Sequence, residues 1–329
     1  MNRQQYVFIN GACSDQLTVK SGVPQGSTLG PLLFSLYIND IEKSILNTSS
    51  KVVLYADDTA LFCAAKTPQE LGERLQVHFD LIVTWLKDNN MFLNSEKTKV
   101  MFFGSKRKTK GIDVKIHQGS GTLEVVDKWK YLGLILDSEL NWSCHINNII
   151  KKVSCLIGCV RRIKKYVTNR NLVDLYYALL LPHFDYCCTL WGNSTKNNIL
   201  RLQRMQNKYA RIVLDVDNYT PTSYLLNTLK WQSISQRIKY QRCLMVHKII
   251  HRSVPSYLNR LIQKRPVFYS TRYAINSPLF VPTPRTEYMK NLSPTLAAFN
   301  SIISHTHYNQ TQTFSILNVT VQYLAVLGQ

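Results

Sequence analysis

The apolar positions in the first part of the chain form short runs that are typical of strands, with turn residues between them. "QQYVFINGACSDQLTVK" predicts a hairpin that turns at Asn10 and Gly11. "KVVLYADDTALFCAA" predicts a second hairpin, whose tight turn falls on Asp57 and Asp58. Further strands are predicted in "KTKVMFFG" and "KWKYLGLILD".

Two helical stretches interrupt these strands. "PLLFSLYINDIEKSI" follows a turn-rich loop, and "TPQELGERLQVHFDLIVTWLKDNN" follows the second hairpin. Thr67 is the predicted N-cap of the longer helix, and Glu70 completes a capping box. Strands mixed with helices in this order predict an α+β fold, in which an antiparallel sheet carries helices on one face.

From about residue 139 the apolar positions recur at helical spacing. Helices are predicted from Ser143, which is the predicted cap of the first, and near residues 170–182, 196–214 and 232–251. After residue 265 the chain is rich in Pro, Ser and Thr and loses periodicity, which predicts weak order. We therefore expect three parts, namely residues 1–138, 139–265 and 266–329.

Charge distinguishes the middle part from its neighbours. The chain has 40 Lys and Arg against 20 Asp and Glu, a net charge of +20. Residues 139–265 hold 21 basic and 5 acidic side chains, a net of +16, whereas residues 1–138 hold 16 and 14, a net of +2. Such an excess favours a nucleic acid or an anionic membrane surface as the partner.

Other features argue against several classes of protein. The eight cysteines show no spacing of a disulfide-rich secreted domain or of a zinc site, which predicts reduced thiols. No apolar run reaches membrane-spanning length, and the first residues lack the organisation of a signal peptide. We expect an intracellular protein of the cytoplasm or nucleus with no membrane partner.

Asp57 and Asp58 are the first candidate for chemistry. Two adjacent carboxylates in an apolar hairpin are costly unless water or a cation accompanies them. Mg²⁺ prefers oxygen ligands, and two-metal phosphoryl transfer requires carboxylates at such a place. By itself, "ADDT" is also typical of an ordinary turn.

A second candidate lies just upstream, in "SGVPQGSTLGP". Gly22 and Gly26 allow close approach of a ligand to the backbone, Pro24 stiffens the loop, and the amide of Gln25 can bond a base or a sugar. The same residues are equally consistent with ordinary loop punctuation. Gln25 precedes Asp57 by 32 residues.

Together, "SGVPQGSTLGPLLF" and "YADDTALF" resemble the reverse transcriptases of non-LTR (LINE-type, jockey-like) retrotransposons. "WLKDNNMFLNSEKTKVMFF", "KYLGLILD" and "YYALLLPHFDYCCTLWGN" agree in the same order. The resemblance implies part of a right-hand polymerase palm in residues 1–138, a basic helical thumb and post-thumb region in 139–265, and a C-terminal segment in 266–329.

The resemblance also implies roles for individual residues. Asp57 and Asp58 would be catalytic ligands of Mg²⁺, and Lys97 would approach the triphosphate and protonate the pyrophosphate. Residues that would contact the nucleotide, template or primer end are Gly22, Pro24, Gln25, Gly26, Tyr55 and Ala56. Tyr131, Leu132 and Gly133 would form the primer grip. The partners would be an RNA template, a DNA primer and deoxynucleoside triphosphates.

Four cations repeat along the predicted helix 196–214. Arg201, Arg204, Lys208 and Arg211 lie at positions i, i+3, i+7 and i+10, on a single face. The resemblance implies that this face follows the phosphates of a primer–template duplex. A solvated charged face is the alternative.

One departure from the family bears on activity. Reverse transcriptases need a further aspartate on a strand before the "SGVPQG" loop, and the only acid there is Asp15, which lacks the family's surrounding residues. We expect an N-terminally truncated fragment with little polymerase activity of its own. The alternative is a non-catalytic, basic nucleic-acid-binding remnant of a retroelement.

Overall fold

A computed structural model describes residues 3–19, 22–23, 26–45, 50–104, 111–251, 253–255 and 258, and the backbone of residues 313–322. The chain divides into two compact units. The first comprises Met1–Asp127 with His305–Gln329, and the second comprises Lys128–Ser304. Each unit is described by itself.

Two short strand pairs open the first unit. Strand β1 (Arg3–Gln5) pairs with β4 (Leu17–Val19), and β2 (Phe8–Ile9) pairs with β3 (Ala12–Cys13). Asn10 and Gly11 turn the inner pair with φ of 50° and 84°. Positive φ at both turn positions is typical of Asn-Gly hairpins, so the predicted hairpin is confirmed.

The main sheet of the first unit contains strands from distant parts of the sequence. Its order is β11 (Glu124–Val125), β8 (Lys99–Phe103), β14 (Thr313–Gln322), β6 (Asp58–Ala65) and β5 (Lys51–Tyr55), and β7 (Phe92–Leu93) pairs with the end of β14. All these pairings are antiparallel except that of β11 with β8. A separate small hairpin joins β9 (His117–Gln118) to β10 (Gly121–Thr122).

Two helices belong to the first unit. Helix α1 (Gly30–Ile38) continues into a 3₁₀ segment, Asn39–Ile45, and α2 covers Pro68–Asp88. As predicted, Thr67 caps α2, because its hydroxyl accepts a hydrogen bond of 3.2 Å from the N–H of Glu70. Leu71, Leu75 and Phe79 of α2 are fully buried in the core that also contains Leu61 and Val100 of the sheet.

The second unit begins with a hairpin and continues in helices. Strand β12 (Lys128–Tyr131) pairs with β13 (Leu134–Asp137). "KWKYLGLILD" is therefore two strands and not the single strand predicted, because Leu132 and Gly133 adopt φ of 44° and 81° and reverse the chain. The helices are α3 (Ser143–Ile163), α4 (Asn169–Leu175), α5 (Leu181–Asp185), α6 (Cys188–Trp191), α7 (Lys196–Leu214), α8 (Thr222–Leu229) and α9 (Ile234–Ile250), with a π-helical turn at Tyr176–Leu180.

The predicted apolar stripes of α3 and α7 form the core of this unit. Ile146, Val153 and Ile157 of α3 are buried, and so are Leu202 and Tyr209 of α7. The two helices pack against each other. Among the described residues, no helix has both the length and the apolar character to cross a bilayer.

The predicted boundaries differ from the observed units. In the chain, the first segment of the first unit ends at Asp127, whereas the prediction placed the boundary after residue 138. Within the second unit, the β12–β13 hairpin is joined to the helices by the Tyr186 hydroxyl, which donates to the Leu132 carbonyl at 2.5 Å. Residues 313–322 form a strand where weak order was predicted. Of the rest of 266–329, nothing lies within the described residues. The α+β mixture itself is confirmed, whereas palm and thumb remain a proposal.

The start of α3 corrects a second prediction. Trp142, at φ 66°, is the N-cap, and Ser143 is the first helical residue. The buried carboxylate of Asp137 accepts backbone hydrogen bonds from Glu139 at 3.3 Å, Asn141 at 3.0 Å and Trp142 at 2.9 Å. A carboxylate from the preceding strand thus holds the loop that leads into α3.

We predict that Asp137→Ala lowers the free energy of unfolding of the second unit by about 3 kcal/mol, because three N–H groups lose a charged acceptor in a buried place. Urea unfolding followed by circular dichroism measures this. Asp174→Ala, at an exposed position of α4, is the control and should change stability by less than about 0.5 kcal/mol. Equal effects of the two substitutions would contradict the role of Asp137 in holding the loop before α3.

Candidate active site and nucleic-acid interface

The paired aspartates lie at the tip of the β5–β6 hairpin. Tyr55 stands opposite Asp58, and Ala56 and Asp57 form the two-residue turn between them. Ala56 has φ of 50°, a left-handed value that costs a residue with a side chain about 1 kcal/mol. Tyr55, Ala56 and Asp57 are exposed, whereas Asp58 is half-buried as the first residue of β6.

The two carboxylates differ in their surroundings. Burial raises the pKa of the Asp58 carboxyl above its ordinary value of 3.8, and the neighbouring charge of Asp57 raises it further. The ammonium of Lys97 lowers the same pKa. Asp58 is therefore a carboxylate whose ionised form is disfavoured by its surroundings and favoured by any added cation.

Lys97, whose charge lowers the pKa of Asp58, lies in the turn before β8. The side-chain oxygen of Asn94 accepts the N–H of Lys97 at 3.1 Å, and the Asn94 carbonyl accepts the hydroxyl of the fully buried Thr98 at 2.7 Å. These bonds fix the turn and leave the Lys97 side chain exposed. The charges of Asp57 and Lys97 thus both act on Asp58, although Lys97 lies 40 residues from Asp57 in the sequence.

The glycine-rich loop is described only in part. Gly22 and Gly26 have φ of 91° and 80°, values that favour glycine, and a Cβ at Gly26 would meet no atom within 4 Å. Pro24 and Gln25 lie outside the described residues. The positive φ angles explain the choice of glycine at both places.

In the second unit, Tyr131, Leu132 and Gly133 lie at the tip of the β12–β13 hairpin. A Cβ at Gly133 would lie 3.3 Å from Cε1 of Tyr186, the residue whose hydroxyl bonds the Leu132 carbonyl. The ring of Tyr186 therefore holds this turn against the helices, and Gly133 is required both by its φ and by the close contact.

The structure divides the four predicted cations of α7 into two pairs. Arg201 donates to side-chain oxygens of Asn147 at 2.6 Å and Asn198 at 3.2 Å, and Arg211 donates to the Thr220 carbonyl at 3.0 Å. Arg204 and Lys208 are exposed. Of these four cations, Arg204 and Lys208 are therefore the two that are available to a partner in solution.

The residues at the hairpin tip fit a divalent cation only in part. Two carboxylates supply the oxygen ligands that Mg²⁺ prefers. Among the described residues, however, no three His, Cys, Asp or Glu side chains lie close enough together to hold a metal ion. A complete two-metal site is therefore not formed by the part of the chain that the structure describes.

Comparison with known proteins finds one family that matches part of the chain. The reverse transcriptase (RNA-dependent DNA polymerase) family matches residues 2–136, the segment that contains the glycine-rich loop and the aspartate hairpin. Residues 2–136 belong to the reverse transcriptase family.

Relatives of this chain come from mobile elements. It is 27% identical over 241 residues to the probable RNA-directed DNA polymerase from transposon X-element of Drosophila melanogaster, covering 72% of this chain and 26% of that protein. It is 27% identical over 261 residues to the RNA-directed DNA polymerase from mobile element jockey of the same species (74% and 28%). It is 26% identical over 275 residues to the jockey polymerase of Drosophila funebris (80% and 29%).

These relatives confirm the resemblance to jockey-like non-LTR retrotransposons. The chain spans between a quarter and three tenths of the length of each of them. No solved structure matches it.

Sequence reasoning missed two features near the site. Strand β14 borders β6 next to the aspartates, and its alternation of apolar and polar residues in "TFSILNVTVQ" is the signal that could have found it. Tyr186, which supports the predicted primer grip, left no such signal, because it lies 54 residues from its partner Leu132.

We predict that Asp58→Asn raises the melting temperature of the chain at pH 7. The raised pKa means that the folded protein binds the Asp58 proton more tightly than the unfolded chain, so ionised Asp58 opposes folding as pH rises. The difference in melting temperature should shrink as pH falls through the pKa of Asp58 in the folded protein. It should disappear below about pH 3.8, where Asp58 of the wild type is protonated in both the folded and the unfolded chain. Thermal melting at several pH values measures it. A gain that grows toward acid pH would contradict the shift.

Proposed function

We propose that residues 1–138 contribute the palm of an RNA-directed DNA polymerase and that Asp57 and Asp58 are its metal-binding carboxylates. The observation that carries this proposal is the pair of carboxylates at a hairpin tip, with the charge of Lys97 acting on Asp58. In this proposal Lys97 binds the triphosphate and protonates the leaving pyrophosphate. Tyr55 and Ala56 contact the primer end.

The remaining roles extend this proposal to the substrates. The loop Gly22–Gly26, including Pro24 and Gln25, would shape the pocket for a deoxynucleoside triphosphate and its template base. Mg²⁺ is the proposed cofactor, because carboxylate oxygens are its preferred ligands. Since the described residues supply two carboxylates, no catalytic step is assigned to this chain alone.

The second unit would hold the nucleic acid. The tip of the β12–β13 hairpin, at Tyr131–Gly133, is the proposed primer grip, and the helices from 143 to 250 are the proposed thumb and post-thumb region. Its support is the net charge of +16 in residues 139–265 and the exposure of Arg204 and Lys208. An RNA template paired with a DNA primer would be bound through its phosphates.

A second candidate function is nucleic-acid binding without catalysis. The incomplete set of metal ligands favours it, since the basic helices can bind phosphates whether or not the aspartates hold a cation. The two candidate functions differ in whether Asp57 is required for DNA synthesis.

For polymerase activity, we predict that the purified chain with Mg²⁺ extends a DNA primer on an RNA template no faster than its Asp57→Ala variant does. Primer extension resolved on a denaturing gel measures this, and a complete reverse transcriptase from another source controls the substrate. Robust incorporation that Asp57→Ala abolishes would contradict the inactivity and would establish a working site.

For nucleic-acid binding, we predict that the Arg204→Gln/Lys208→Gln double variant makes binding less sensitive to salt. The negative slope of log affinity against log salt should decrease in magnitude by about 2, at ~0.9 for each phosphate contact that is lost. Fluorescence anisotropy with a labelled RNA–DNA duplex measures it. The matched control is Arg201→Gln/Arg211→Gln, which removes the same charge from side chains bonded within the protein and should change the slope less. Equal slopes for the two double variants would indicate that α7 does not face the nucleic acid.

A further inference from the structure

The second unit contains an aromatic cavity of about 210 Å³, to which the proposed function assigns no role. The residues that line it are Tyr176, Tyr177, Leu181, Lys230, Trp231, Gln232 and Arg237. They come from the π-helical turn, the start of α5, the segment between α8 and α9, and the first turns of α9. Pockets for drug-sized ligands hold about 300–1,000 Å³, so this cavity has room for one small ring system.

The inner wall of the cavity is a pair of stacked rings. The rings of Tyr176 and Trp231 have centroids 3.7 Å apart and planes at 13° to each other, and both side chains are buried. The Tyr176 hydroxyl accepts a hydrogen bond of 2.8 Å from Nε2 of Gln206, which also donates to the Gln232 carbonyl at 2.9 Å. These bonds fix the stacked pair, so a ligand meets a preformed aromatic surface.

Tyr177 forms a second aromatic wall. Its ring stands at 72° to that of Tyr176 and at 77° to that of Trp231, with centroids 5.4 and 6.4 Å apart. Tyr177 is 49% exposed, whereas Tyr176 and Trp231 are 2% and 6% exposed. The ring of Tyr177 is therefore the aromatic surface that an incoming planar ligand can reach from solvent.

Two cations line the cavity, and they differ in their partners. Arg237 donates to both carboxylate oxygens of Asp185, at 2.8 and 2.6 Å. Lys230 is exposed and takes part in no ion pair within the part of the chain that the structure describes. The ammonium of Lys230 is thus available to an anionic group beside the aromatic walls.

A donor in the inner wall lacks an acceptor. Nε1 of Trp231 is buried and bonds no acceptor among the residues that the structure describes. A buried N–H group without an acceptor costs stability, and a ligand that carries an acceptor removes this cost. Aromatic walls, a cation and an unsatisfied donor together match a nucleobase with its phosphate.

We propose that this cavity binds an unpaired nucleobase of a single-stranded nucleic acid. The base stacks on Tyr177, one of its acceptor atoms takes the Nε1–H of Trp231, and Lys230 binds the neighbouring phosphate. Paired bases are excluded, because a base must leave the duplex stack before it enters a pocket. The net charge of +16 in residues 139–265 favours such a polyanion over a cationic ligand.

This inference goes beyond the proposed function. Neither duplex binding by α7 nor the aspartates requires a base in this cavity. The proposal concerns a single strand, whereas the proposed thumb holds a duplex through its phosphates.

The stacking is tested with an RNA of about eight nucleotides that carries 2-aminopurine at its centre. The fluorescence of 2-aminopurine falls when the base stacks on an aromatic ring, so titration with the full chain reports both affinity and stacking. Tyr177→Leu should weaken binding about tenfold and abolish the fluorescence change, because it keeps an apolar side chain but removes the ring. Tyr177→Phe keeps the ring and should bind as wild type does.

Matched substitutions outside the cavity control for general effects. Tyr224 of α8 is 54% exposed and does not line the cavity, so Tyr224→Leu should leave both the affinity and the fluorescence change as in wild type. Lys230→Gln should decrease the magnitude of the salt slope for the single strand by about 1. Lys239→Gln removes the same charge from an exposed position of α9 and should change that slope less.

A blunt RNA–DNA duplex separates this site from the proposed duplex-binding face. Tyr177→Leu should bind the duplex with wild-type affinity, whereas Arg204→Gln/Lys208→Gln should weaken duplex binding. Thermal melting shows whether each variant folds as wild type does.

Three results would overturn the proposal. They are equal single-strand affinities of Tyr177→Leu and Tyr224→Leu, equally weak binding by Tyr177→Phe and Tyr177→Leu, and unchanged 2-aminopurine fluorescence when wild type is saturated. The last result needs no variant, so the test does not depend on the folding of any substitution. Each of these failures would leave duplex binding by α7 as it stands.

Discussion

The pairing of β5 with β6 is the constraint on which the candidate site depends. Because the turn has only two residues, Ala56 must take a left-handed conformation, and Asp57 and Asp58 follow it with no freedom to separate. Helix α2 packs its apolar face beneath these strands and fixes them. The energetic consequence is visible at Asp58, whose pKa is raised by burial and by Asp57.

The second unit uses its charges in two ways. Some cations stabilise the fold: Arg237 binds both carboxylate oxygens of Asp185, at 2.8 and 2.6 Å, and Lys164 pairs with Asp215. Others, such as Arg204 and Lys208, remain exposed. A net charge of +16 in residues 139–265 therefore overstates the number of cations that are available to phosphates, which is why matched pairs of substitutions are needed to find them.

Local patterns predicted the features that depend on near neighbours. The Asn10–Gly11 turn, the Thr67 cap and the stripes of α3 and α7 each follow from residues within a few positions of one another. The Ser143 cap was predicted wrongly because Trp142, at φ 66°, is the N-cap, and its own N–H is bonded to the carboxylate of Asp137, five residues earlier. The pairing of β14 with β6 joins residues 248 to 262 positions apart, and no local signal specifies such a partner.

Strand β6 of the aspartate hairpin is paired on both of its sides, and residue-resolved hydrogen exchange of β6 tests this claim most directly. Successive N–H groups of a strand point to alternate neighbours, so the two-residue turn directs Ala60 and Phe62 to β5 and Leu61 and Cys63 to β14. We predict slow exchange at all four amides. Protection at Ala60 and Phe62 with free exchange at Leu61 and Cys63 would show β6 to be an edge strand and would contradict the claim.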